Sequence, residues 1–538
     1  MKKISLFIIL IICVIFSSAG VFAEAPDAGI ELSEYKDADE AIKAEIAMGY
    51  TLEDPLVILD PYGTAPLSAL IAFDTEEPCE VRLNVKGHAP EDDITAVFEP
   101  ETRHILPVYG LYSGEENHVE LTCGGKTKEV TIRTDPLDIT YTASKVTLMD
   151  ESRYDYGKLT FISAPSAGNS SAYDSKGELR WFSLFRGMPF FRLKNGHFLS
   201  ETLESSGPEN YNFGKGMAEI DLMGRVYNRY FVEPANVHHD ALELENGNLI
   251  ICTGHDDPSV RYDKVIEIDR ATGKSVWELD LCELLDPTDG GGFSQTPQNW
   301  FHNDAIAYDE TNDLLLLSGR NTDSVVAVKK ATKEIAWILG DPEGWTKTDP
   351  ALFFTPVGEG FEWPYAQHNV SVFGGNNILI FDNGDVRAKA VRPEKQLPPE
   401  ERYSRAVMYR IDPENMTIEQ IWQYGKERGK SWYTSYQSNV VYDPETDSFW
   451  IDAGWIQPDP EHPDEVEFFE SLHSGKEIDP TDYNNLDAVT LIDHVIGNEP
   501  VFELKLYRQT YRCERYSFYA DENPNYDLNA DSRGFTTK

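Results

Sequence analysis

Three histidines stand at the head of three similar stretches: His238 in NVHHDALELENGNLIICTGH, His302 in WFHNDAIAYDETNDLLLLSGR and His368 in YAQHNVSVFGGNNILIFDNG. Each is followed by an alternating apolar run, an Asn/Gly/Asp-type turn and a second apolar run, the signature of a β-hairpin. Their separations, 64 and 66 residues, exceed one supersecondary unit and suit successive units of a repeated β architecture with long loops. Repetition about an axis brings equivalent positions to one height, so the three imidazoles are expected to converge. The ends of the second runs supply another polar tier, His255, Arg320 and Asn383. Aligning SNVVYDPETDSFWI in the same way puts Tyr436, beside Thr434 and Gln437, where the other units have histidine. Imidazoles gathered around Arg320 would form an anion-binding constellation.

A lone histidine before a strand is usually a hydrogen-bonded structural residue, but three in one register out of twelve in the chain weigh against that reading. His239 adjoins the register position and would face the other side of a strand that had already begun. Asp240 and Asp304 read as structural, each tying its strand to a loop.

The elements that must carry these residues follow from a second repeat. Six segments show a strand, a Gly/Asn turn and a strand often bearing tryptophan: YDSKGELRWF, IDLMGRVYNRY, IDRATGKSVWEL, VKKATKEIAWIL, IDPENMTIEQIW and LIDHVIGNEPVFEL. In a propeller these are the outer hairpins of the blades. The expected fold is all-β: a six-bladed β-propeller over residues 137–538, preceded by a small β-sandwich of immunoglobulin type over 56–136. The segment LKLYRQTYRCERYSFY is expected to complete the last blade and close the ring. Residues 24–55 read as an arm or short helix. The blades between His302 and Tyr442 carry long insertions, which are expected to wall one mouth of the channel.

Residues 1–23 have two lysines, an apolar core and a Val-x-Ala before Glu24, the pattern of a secretory signal peptide cleaved near Ala23. The expected location is periplasmic or secreted. No later run approaches the roughly 18 apolar residues of a membrane span. A net charge of −45 argues against nucleic acid or an anionic membrane as partner. An anion site in such a chain must be locally basic. An oxidising compartment permits disulfides; Cys79 with Cys123 and Cys252 with Cys282 are candidate pairs, and one of the five cysteines after residue 23 must stay unpaired. Neither CxxC nor HExxH occurs, so a structural zinc site or a metalloprotease has little support; no metal and no cofactor is expected.

These motifs resemble the bacterial arylsulfate sulfotransferases, exported enzymes that use no nucleotide donor. The likeness covers nearly the whole chain, through HHD at His238, WFHND at Trp300, LSGR ending at Arg320, WPYAQHNV with FDNG, and GKERGKSWYTS at Gly425. It implies ping-pong transfer of a sulfuryl group from a phenolic sulfate donor to a phenol acceptor through a sulfohistidine. His368 matches the nucleophile; His238 or His239, His302 and Arg320 match the groups that hold the sulfuryl oxygens and assist the leaving group. Thr434 and Tyr436 are candidates near the acceptor, and a homodimer is the family's usual form. The chemistry is consistent with the residues: sulfuryl transfer needs positioning and charge stabilisation, and neutral imidazole is a competent nucleophile near pH 7. Aromatic residues of the insertions, Trp345, Phe353, Phe354, Tyr365 and Tyr433, are candidates to sandwich the phenol rings. Two other readings remain: a secreted propeller that only binds an anionic ligand, and a quinone-dependent dehydrogenase, whose blades ATGKSVWEL resembles. A hydrolytic sulfatase is disfavoured because no C/S-x-P-x-R context occurs.

Overall fold

The computed structural model describes residues 32–137, 144–164, 169–185, 187, 190–202, 214–233, 236–254, 263–293, 295, 299–456 and 488–537. The expected signal peptide and His255 lie outside them. Among the described residues the fold is all-β apart from one α-helix, Leu32–Ile46, and short 3-10 turns.

Within the arm, Tyr35, Asp39, Ile42 and Ile46 recur every three or four residues and form the helix's buried face. Buried Asp39 accepts from Tyr62 Oη at 2.6 Å and pairs with buried Arg225 at 2.8 Å. The helix is thereby fastened to both the N-terminal domain and the propeller. That domain is a five-stranded sheet whose long strand Ser68–Val85 pairs with Leu56–Leu59 near its start, with Glu116–Cys123 near its end, and with Ile94–Tyr109 along most of its length. Of the two candidate pairs, Cys79 and Cys123 are joined by a disulfide.

Among the described residues six sheets of four or five strands follow, antiparallel except where Arg533–Thr537 joins the second and Thr355–Val357 the fifth in parallel. The first combines Leu159–Ala164, Asn169–Tyr173 and Leu179–Ser183 with Arg512–Tyr516 from the far end of the chain. The ring therefore closes as the sequence suggested, with LKLYRQTYRCERYSFY divided between the sixth sheet and the first. The inner strands of the third to sixth sheets begin at Val237, Asn303, His368 and Asn439; each touches the next, and that of the sixth touches the closing strand. Arg192, on the inner strand of the second sheet, reaches across to Tyr516 of the first.

The six tryptophan-type segments form the outer hairpins of the six sheets, with one further strand beyond the hairpin in the second, fifth and sixth sheets: Arg533–Thr537, Thr355–Val357 and Ser144–Met149. Three of their indoles show what the repeat is for. Trp181 donates to Leu222 O at 2.8 Å, Trp277 to Lys330 O at 3.0 Å and Trp422 to Gly497 O at 2.7 Å. Each acceptor lies in the outer turn of the following sheet, so each bond laces one sheet to the next. One apolar cluster runs from the helix through the N-terminal domain into the first two sheets, including Tyr35, Leu70, Phe98, Trp181, Phe198 and Phe518.

The other candidate pair, Cys252–Cys282, does not form. Cys252 lies inside strand Leu249–Thr253 and receives Asn303 Nδ2 at 3.2 Å, whereas the Cys282 thiol donates to Asp263 Oδ2 at 2.8 Å. With Cys513, three cysteines are free rather than the one left over by two pairs. Among the described residues, no helix is long and apolar enough to cross a membrane.

Candidate active site

The inner strands do not begin regularly, and the irregularities carry the polar residues. Register shifts fall between Val237 and Ala241, between Asn303 and Ala305, and between His368 and Val370. His239, His302 and Asn369 take left-handed φ values of 50°, 57° and 58°, a region non-glycine residues enter at a cost. Such bulges re-aim side chains. Strict alternation would separate His238 from His239; instead both are buried, with their Nδ1 atoms 3.0 Å apart. His239 presents its ring to that of His302 at 4.8 Å between centroids, while His238 sits behind it beside Thr253.

His368 opens its strand with 4 % of its surface exposed. Its Nδ1 lies 2.8 Å from Asn383 Oδ1, and its Nε2 accepts the Gln437 backbone N–H at 3.1 Å. Burial, reinforced by Arg320, pushes its pKa down to about 3, so the imidazole is neutral. His238 falls to about 3 by burial alone. His302 is held well below its ordinary value by burial and then Arg320, and His239 by burial and then its histidine neighbours.

Arg320 follows Gly319, where a Cβ would stand 2.5 Å from Thr322 Oγ1 and 2.6 Å from the Phe301 ring. Its backbone N–H donates to His302 O at 3.1 Å, and its guanidinium bonds Asn321 Oδ1 and Ser435 O. Arginine and histidines thus share one frame.

The motif residues around the site divide into those that build and those that face it. Gln367 donates to Gly319 O and Ser324 O, locking the start of its strand to the neighbouring sheet. Asp382 pairs with buried Arg405 at 2.7 Å, and Gly384 has φ 70° where a Cβ would meet Tyr403 O at 2.3 Å. These contacts account for Gln367, Asp382 and Gly384 of the QH and FDNG motifs. In GKERGKSWYTS, Arg428 pairs with Asp493 and Glu503, and Trp432 Nε1 donates to Asp493, so this motif anchors the loop leading to Thr434. Thr434 is fully buried, and its hydroxyl donates to Tyr436 O at 2.9 Å. Half-buried Tyr436 packs on Trp455 at 4.3 Å. Of the insertion aromatics, Phe353 and Phe354 are core, Trp345 packs on Phe353, and the hydroxyls of Tyr365 and Tyr433 are bonded to Asp341 and Asp385.

The two aspartates read as structural behave differently. Asp240 ties its sheet to the next, accepting from Ile306 N at 2.9 Å. Asp304 instead lies with Oδ2 3.7 Å from His368 Nε2, and burial pushes its carboxyl well above the usual range.

Arg512 is the residue that the repeat of histidines does not announce. It comes from the closing strand, pairs with Asp240 at 2.6 Å, and its charge contributes to depressing His239 and His368. Burial opposes its own charge, and Asp240 and Tyr511 more than offset that. Neighbouring Tyr511 donates to Asp304 O at 2.9 Å, joining the first sheet to the fourth across the axis. Treating YRCERY as a sixth inner strand in register with the others is the signal that would have found it.

Residues 142–504 match the profile of the arylsulfotransferase family, and residues 56–144 match the immunoglobulin-like domain that accompanies it. The chain belongs to the arylsulfotransferase family. The arylsulfotransferase is 26 % identical to arylsulfate sulfotransferase AssT of Lelliottia amnigena, over 76 % of this chain and 87 % of that one. It is likewise 26 % identical to AssT of Escherichia coli O6:H1, strain CFT073, over 74 % of this chain and 85 % of that one. Among solved structures, the β-propeller domain of Myceliophteria thermophila Cps50 (Swd1) is 12 % identical, covering 58 % of this chain and 80 % of that one at a TM-score of 0.31, too low to carry an argument. The arylsulfotransferase is accordingly an enzyme acting on aryl sulfates.

Proposed function

We propose that the enzyme transfers a sulfuryl group from a phenolic sulfate ester to a phenol in two half-reactions through a sulfohistidine at His368. The observation that carries this reading is the state of His368: a buried, neutral imidazole beside Arg320, flanked by His239 and His302.

In the first half-reaction the Nε2 lone pair forms the N–S bond, and the S–O(aryl) bond breaks with its electron pair passing to the phenol oxygen. Charge on the three peripheral oxygens falls to Arg320 and to ring N–H groups of His302 and His239. A phenol has a pKa of about 10, so its departing oxygen needs a proton only late. The imidazoles are neutral in the unliganded pocket, and an incoming aryl sulfate brings the negative charge that favours an imidazolium among them as donor. In the second half-reaction the acceptor phenol returns its proton to that base, its oxygen attacks sulfur, and the S–N bond breaks with its pair returning to Nε2.

Intact mass after incubation with an aryl sulfate and no acceptor tests this. A single sulfuryl adduct on His368, discharged by added phenol, is expected; an unmodified enzyme that still turns over in the presence of acceptor refutes it. The leader-like residues 1–23 and the Cys79–Cys123 disulfide both favour action outside the cytoplasm.

A further inference from the structure

The far edge of the His368 ring carries a contact that the transfer chemistry has not yet used. Asn383 Nδ2 donates to two backbone carbonyls, Thr434 O and Gln437 O, each at 3.0 Å. Carbonyls accept only, so the amide is oriented with its oxygen toward the ring, 2.8 Å from Nδ1. That oxygen in turn requires the proton on Nδ1. On the opposite edge the Gln437 N–H, 3.1 Å away, requires a lone pair on Nε2. Two independent contacts thus demand the same tautomer.

We propose that Asn383 is a positioning residue for sulfuryl transfer: it fixes His368 in the Nδ1–H tautomer and, with the same amide, holds the loop whose Gln437 N–H marks the attacking nitrogen. The proposal rests on the reading of His368 as nucleophile and deepens it. Gln437 and Ser438 hold left-handed φ values of 65° and 90°, strain that persists only where surrounding bonds over-determine the backbone. The Asn383 bonds do so here, with Ser404 Oγ, which accepts from Thr434 N at 2.9 Å.

A neutral amide accepts a hydrogen bond but does not take the proton. When Nε2 bonds to sulfur and the S–O pair leaves on the phenol oxygen, the ring keeps its Nδ1 proton and becomes an N-sulfo imidazolium. A carboxylate in this place, as in a Ser-His-Asp triad, would stabilise the positive ring. Asn383 orients the ring without that stabilisation, leaving imidazole a ready leaving group for the acceptor phenol. The Gln437 N–H can no longer bond Nε2 and lies beside the transferred group, whose oxygens can accept it.

Nitrogen-15 NMR of histidine-labelled wild-type enzyme, with the signal assigned by difference from His368→Gln, is expected to show Nδ1 protonated and Nε2 bare. The opposite tautomer overturns the proposal without any need for a folded variant at position 383. Asn383→Ala is expected to lower kcat by about tenfold or more with little change in KM and to give mixed His368 tautomers. Unchanged kcat, or a single Nδ1–H tautomer in that variant, overturns it. Mass mapping of the wild type separates the two claims: no sulfuryl on His368 brings down the nucleophile and this proposal together, whereas a sulfuryl on His368 with the wrong tautomer brings down the proposal alone.

Discussion

The outer hairpins and the inner strand ends of the same six sheets follow opposite rules. Outside, the pattern repeats: a turn, a strand, and in three sheets an indole N–H that reaches the outer turn of the next sheet. Inside, each start is different: a double histidine with a shifted register, a left-handed His302, a left-handed Asn369 after His368, and a loop bent through Gln437 and Ser438. The comparison teaches where regularity and exception do their separate jobs. Lacing at the rim, made by an indole in three of the six sheets, lets the inner ends hold buried polar groups and strained backbone that would unsettle a smaller fold.

The sharpest way to break this division is to alter one member of each zone and measure both turnover and melting. His368→Ala is expected to lower aryl-sulfate transfer to a phenol by about 1,000-fold or more while thermal melting moves little; wild-type turnover would remove His368 from the chemistry. Arg320→Met should slow transfer by about 100- to 1,000-fold, because it removes the fixed positive charge beside His368 and His302. The opposite signature is expected at the rim: Trp181→Phe leaves Leu222 O without its donor, lowering stability by about 1–3 kcal/mol in denaturant unfolding with kcat unchanged. A kcat loss as large as that of Arg320→Met would erase the distinction between zones. The smallest change is expected from pH. With His368 at about 3, the free enzyme's nucleophile is already unprotonated at neutral pH and stays so on acidification until that value is approached. The kcat/KM profile should therefore lack a His368 limb near pH 6.5, and such a limb assigned to His368 would show that Arg320 and burial do not depress it.

Much of this layout is legible in the residues, and the remainder is hidden for identifiable reasons. The rim was readable because a turn flanked by alternating apolar residues is a local pattern, repeated six times. The gathering of His302, His368 and Arg320 followed from the same repetition. Which of His238 and His239 meets His302 did not, because a register shift inserts residues without altering the alternation on either side. Asp304 was read together with Asp240 from their shared spacing, yet only Asp240 ties to the next sheet; proximity to His368 separates them and is a tertiary fact. Cys252 and Cys282 looked pairable by compartment and spacing, but their sulfurs meet Asn303 and Asp263 instead. Arg512 lay furthest from view, contributed by a strand that joins its sheet only when the chain returns to where the ring began.

That return has a consequence for how the protein comes to life. Ribosomes deliver a polypeptide from its amino end, so every histidine of the pocket exists before the segment carrying Tyr511 and Arg512 emerges. Until then the first sheet lacks its axial strand, Asp240 has no guanidinium opposite it, and nothing spans from that side of the ring to Asp304. Closure of the ring thus waits on the segment that carries Tyr511 and Arg512, and a chain cut short before residue 512 would carry its imidazoles in an unclosed ring.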